Sequence, residues 1–160
     1  MTPTRLIATF GGCGLAPRAP GTVGSLAALV VGLPLLRRPR ALVCAAAMAT
    51  VVGWWATARA GQGEDHSWIV IDEVAGMWIA LLACLPDANT TAHTSKATYG
   101  VLWPIVAFGL FRLFDITKPG PIGTLDQRHD AVGVMGDDVL AGIASAGCVF
   151  AARKMLGFRS

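Results

Sequence analysis

Asp72 and Glu73 are adjacent in IVIDEVAGMWIAL, Asp137 and Asp138 are adjacent in VGVMGDDVLAGIASAG, and Asp115 stands in FRLFDITK, so five of the ten acidic residues border the most apolar stretches of the chain. A carboxylate beside hydrocarbon is costly, by about a few kcal/mol or more, unless it is paired, ligated or kept wet. Successive residues on a helix point about 100° apart, so each adjacent pair can address one polar space. Clustered Asp and Glu oxygens without His or Cys suit a hard cation, Mg²⁺ rather than zinc. All five carboxylates are therefore candidate metal ligands. Helix capping competes with this reading for Asp137 and Asp138, which the pattern places at a helix start. It fails for Asp115, near a helix C-terminus, where the macrodipole disfavours an anion and where Arg112 at i−3 or Lys118 at i+3 is the expected partner.

Basic and hydroxyl groups lie close to the same segments. Arg112, Lys118 and Arg128 can clamp an anionic substrate, because fixed cations stabilise charge on a transferring phosphoryl group. Arg128 alone is as well explained by snorkelling to lipid headgroups. Thr22 and Ser25, in PGTVGS at a helix start, offer hydroxyls and free amides to a phosphate or a metal-bound water. His66 and His129 sit in polar loops as candidate proton donors. Covalent cysteine chemistry is not expected: Cys13 and Arg18 are one residue too close for a phosphate-wrapping loop, and no DxDx(T/V) or GxSxG motif occurs. Cys13, Cys44, Cys84 and Cys148 show no metal-ligand spacing and read as small core residues.

The elements that must hold these groups are set by composition. The 160 residues are 54% hydrophobic and only 14% charged, with a mean hydropathy of +0.57, well away from the roughly 25% charged residues of soluble domains. This fits one small all-α integral membrane domain over residues 1–160. A net charge of +3 without a basic stripe gives no case for nucleic acid. The first residues lack the pattern of a cleaved leader. Residues 11–24 are rich in Gly and Pro and read as an irregular loop. Five apolar segments follow: 25–36, short enough to be re-entrant; 41–58, closing on Trp54 and Trp55 at an interface; 69–85; 98–116, with Pro104 as a kink; and 137–156, whose Gly142, Ser145, Ala146 and Gly147 suit close packing. If all five cross, the loops at 11–24, 59–68 and 117–136 fall on one face, and so do all five carboxylates.

APGTVGSLAAL at 19–29, IVIDEVAGMWIAL at 69–81, FRLFDITKPGPI at 111–122 and VGVMGDDVLAGIASAG at 132–147 together resemble the phosphatidylglycerophosphatase A family. The resemblance implies a Mg²⁺-dependent lipid phosphatase of the bacterial inner membrane that hydrolyses phosphatidylglycerophosphate to phosphatidylglycerol and phosphate at the cytoplasmic face. It implies catalytic roles for Asp72, Glu73, Asp115 and Asp138, and metal ligation by these with Asp137. It further implies contacts from Thr22, Ser25, Arg112, Lys118 and His129 to a phospholipid substrate. A non-enzymatic cation carrier or assembly partner is the other class compatible with carboxylates in apolar surroundings, although a carrier would place them at mid-membrane. A nucleotide-dependent headgroup transferase would need a DGxxAR-type motif, which is absent.

Overall fold

In the computed structural model, which describes residues 1–62, 66–86, 96–128 and 130–157, the chain folds into α1 (Pro3–Ala8), α2 (Pro20–Leu35), α3 (Pro39–Ala60), α4 (Ile71–Leu82), α5 (Lys96–Thr117), α6 (Pro121–Asp126) and α7 (Ala131–Gly157). A single 3₁₀ turn spans Cys13–Leu15, and no strand occurs among the described residues. α3 and α7 are long and apolar enough to cross a membrane, and only 33% and 22% of their apolar windows are buried by the rest of the protein. Val43, Met48 and Val51 on α3, Val30 on α2, Ile105 on α5 and Ile143 and Phe150 on α7 all face outward. So broad an apolar exterior is unsuited to water and is what lipid requires.

α4 is the hub, packing against α7, α3, α2 and α5. The expected helix over 69–85 is shorter in fact: α4 has 12 residues, about 18 Å, well below a full bilayer core. Val74, Ala75, Met77, Ala80 and Leu81 are wholly buried, so this helix is wrapped by its neighbours. Trp78 Nε1 donates to the Ala28 carbonyl at 2.9 Å and ties α4 to α2.

The tightest seam lies between α4 and α7. A methyl group on Gly142 would collide with the Gly76 carbonyl, and one on Gly76 would lie 2.5 Å from the Asp138 carbonyl and from Phe111. Small residues allow this backbone approach. Gly76 follows Asp72 by one turn and Gly142 follows Asp138 by one turn, so the two helices run in the same direction and the seam sets both acids at the same level.

Three expectations are corrected. Residues 20–24 are not loop but the first turn of α2, because Pro20 at the first helical position has no N–H to lose. α7 begins six residues before Asp137, and its N-terminus is capped by Asp130, whose Oδ1 accepts the Gly133 N–H at 2.8 Å. Asp137 and Asp138 are therefore not helix caps. The cysteines are free and not all core: half-buried Cys84 packs against the core and Cys13 is half-buried, but Cys44 and Cys148 are exposed on the outer faces of α3 and α7.

Candidate active site

The starts of α2 and α4, the end of α5, the last residue of α6 and the first two turns of α7 converge on one cavity of about 240 Å³. Its lining includes Asp72, Glu73, Asp115, Asp137 and Asp138, the five carboxylates singled out in the sequence, together with Lys118. Asp72, Glu73 and Asp138 form its core: each places a carboxylate oxygen within 4.8 Å of the others. Asp72 and Asp138 are buried, at 8% and 4% exposure. Like charges this close repel one another unless a cation or proton sits among them.

The five acids fall into two groups by partner. Asp115 Oδ2 is engaged by Arg112 Nη1, and Asp137 Oδ2 accepts from Lys118 Nζ at 2.7 Å. Asp72, Glu73 and Asp138 have no basic partner among the described residues. Asp72 Oδ1 accepts the Glu73 backbone N–H at 3.0 Å and Asp137 Oδ1 that of Asp138 at 2.9 Å, so each adjacent pair is locally braced. Glu73 Oε2 and Asp138 Oδ1 remain buried without a hydrogen-bond partner among the described residues. A buried unpartnered carboxylate oxygen is destabilising unless something absent from the polypeptide occupies it. The oxygen-only donor set and these two oxygens fit a hard divalent cation.

Glycine makes room for the arrangement. A side chain at Gly21 would overlap Glu73 Oε1 and lie 3.5 Å from Arg112 Nη1, so glycine lets the first turn of α2 close over this acid without displacing its carboxylate. α4 starts at Ile71, which puts Asp72 and Glu73 in its first turn, where an anion complements the macrodipole. The end of α5 is turned by Lys118, whose φ of 44° is left-handed and whose N–H closes on the Phe114 carbonyl at 2.8 Å. A non-glycine residue in that region, ahead of Pro119, holds backbone strain of the kind concentrated at functional sites. Its ammonium bridges Asp137 and Asp126. Burial opposes its charge, but the two carboxylates outweigh that and hold the Lys118 pKa above the ordinary lysine value.

The expected substrate contacts divide. Lys118 lines the cavity, whereas Arg112, Thr22 and Ser25 are not part of its lining. Arg112 donates to Ser25 Oγ at 3.3 Å and to Thr22 Oγ1 at 3.4 Å besides holding Asp115. Ser25 is wholly buried and spends its own proton on the Gly21 carbonyl at 2.7 Å. His129 lies outside the described residues. His66 lines the cavity and stacks on Trp68, ring centroids 5.2 Å apart. Sequence reasoning missed Asp126. Asp126 is an ordinary-looking acid on a surface turn, and only its pairing with Lys118 brings it to the site. Arg128, exposed and paired with Asp130 at 2.8 Å, also reaches the lining.

The family model described as Phosphatidylglycerophosphatase A matches residues 6–153, which include every element of this site. The chain belongs to the phosphatidylglycerophosphatase A family. Membership makes it a phosphatase acting on a phosphate monoester. Proteins named phosphatidylglycerophosphatase A from Escherichia coli (strain K12) and Haemophilus influenzae are each 37% identical to it, over 92% of this chain and 82% of the first, and 94% of this chain and 89% of the second. A Bacteroides thetaiotaomicron protein named "Putative phosphatidylinositol-3-phosphatase" is 39% identical over 95% of this chain and 94% of its own length. No solved structure matches.

Proposed function

We propose that this protein removes the terminal phosphate of phosphatidylglycerophosphate, giving phosphatidylglycerol and phosphate, in a Mg²⁺-dependent reaction at the surface of the bacterial inner membrane. The observation that carries the reading is the trio Asp72, Glu73 and Asp138, with ligand oxygens within 4.8 Å and two of them buried and unpartnered, at the base of a polar cavity in an apolar-surfaced bundle. One domain does this work. Its five apolar segments α2, α3, α4, α5 and α7 pack through the bilayer, with the cavity on the cytoplasmic side.

Asp72, Glu73 and Asp138 would hold the cation. When bound, Mg²⁺ polarises a phosphoryl oxygen and lowers the pKa of a water molecule. Lys118 offers its ammonium to the phosphate oxygens at the rim. Arg112 keeps Asp115 oriented against the cavity and, through Thr22 and Ser25, locks the first turn of α2 over Glu73. A carboxylate of the group takes the proton of the attacking water. Acyl chains remain in lipid while the headgroup enters the polar end, so the substrate need not leave the membrane.

The Bacteroides relative's name points to a second headgroup for the same chemistry, a phosphoinositide monoester. Purified protein in mixed micelles is assayed for phosphate release from phosphatidylglycerophosphate, phosphatidylinositol 3-phosphate, phosphatidic acid and glycerol phosphate, each with Mg²⁺ and with chelator. Release from phosphatidylglycerophosphate, abolished by chelator and well above that from the others, is expected. A clear preference for the inositol lipid transfers the reading to that headgroup, and no release from any lipid returns the protein to the carrier class.

A further inference from the structure

α6 is only six residues long and partly exposed, yet glycine contacts seat it in one position. A side chain at Gly123 would lie 2.6 Å from the Lys118 carbonyl, one at Gly136 would lie 2.9 Å from Leu125, and one at Gly133 would collide with the Arg128 carbonyl. Two of these glycines belong to α7 and one to α6 itself, so α6 is pressed onto α7 and back over the end of α5. What this seat presents to the cavity is Asp126, which engages the Lys118 ammonium together with Asp137. The two carboxylates come from different elements, one 8% exposed and one 41% exposed. An ammonium has three N–H donors. Two are taken by Asp126 and Asp137, and the third is left to the cavity.

We infer that Asp126 is a positioning residue for the reaction: with Asp137 it grips Lys118, so that the remaining N–H of the ammonium is aimed at a phosphate oxygen. The inference rests on the phosphatase reading above and adds a residue to it. A flexible four-carbon side chain held by one carboxylate samples many directions, and a second, independently anchored carboxylate removes that freedom before substrate arrives.

The test is a double-mutant cycle on phosphate release from phosphatidylglycerophosphate, with Asp126→Asn, Lys118→Met and the two combined, kcat and KM being determined separately. Mn²⁺ binding to each purified variant serves as the fold and metal-site control. Asp126→Asn is expected to lower kcat about tenfold with a smaller change in KM, with Mn²⁺ binding retained and Asp126→Glu recovering part of the rate. In the Lys118→Met background the same change is expected to alter kcat less than about twofold, because the residue acts through the ammonium. An equal loss in both backgrounds, a wild-type rate for Asp126→Asn, or loss of Mn²⁺ binding with it would each overturn the inference. Wild-type protein inactive on every phosphate monoester would instead remove the phosphatase reading, and this inference with it.

Discussion

The pair formed by α4 and α7 carries two opposite kinds of polar end. Beyond the C-terminus of α4, Arg153 of α7 donates through Nη1 to the carbonyls of Ala83 and, at 2.8 Å, of Leu85. Those partly buried carbonyls beyond the helix end would otherwise lack this donor. One cation from the neighbouring helix meets that need, and the end is complete as protein. At the other end Asp72, Glu73 and Asp138 crowd together, and two of their oxygens find nothing among the described residues. The seam at Gly76 and Gly142 produces both ends, since it holds the helices close enough for either to form. Burial of a charge near lipid is therefore not by itself a sign of chemistry. The sign is burial that the polypeptide leaves unfinished.

Several changes can break that contrast, beginning with the most severe. Asp138→Asn removes a charge from the unfinished end and is expected to lower phosphate release at least about a hundredfold while the protein still inserts and folds. Near-wild-type release would mean that the trio is structural. Gly142→Ala pushes the Gly76 backbone away and tilts Asp72 from Asp138. A loss of about 1–3 kcal/mol in stability is expected from such overpacking, with a fall in kcat that a distant destabilising change does not share. Unfolding in detergent and kcat on the folded fraction check the two parts. Arg153→Ala opens the finished end, where stranded carbonyls should lower stability by about 1–3 kcal/mol with kcat per folded molecule unaltered. A loss of kcat there would erase the distinction between the two ends. Cys44→Ser and Cys148→Ser, on the outer faces, are expected to change stability by less than about 0.5 kcal/mol.

Much of the site was legible because carboxylates in apolar sequence are rare enough to stand out, and all five of those singled out line one cavity. α3 and α5 follow their apolar runs within a few residues. The starts of α2 and α7 were hidden by glycine. Gly21, Gly24, Gly133 and Gly136 read as loop in sequence, yet each sits in a helix at a close approach to a neighbouring element, a tertiary demand that local propensity does not report. That error also put the capping explanation on the wrong helix: Asp137 and Asp138 lie in the second turn of α7, and it is Asp72 and Glu73 that occupy a first turn. Asp126 was invisible because its significance depends wholly on where α6 folds back.

The three acids without basic partners among the described residues are proposed to constitute a divalent-cation site. Titration of Mn²⁺ into purified wild-type protein and Asp138→Asn, with free ion followed by electron paramagnetic resonance, tests it without recourse to substrate. Saturable binding by wild type, weakened at least about tenfold in the variant because a charged oxygen ligand is lost, is the predicted result. Equal binding by the two proteins would contradict the account.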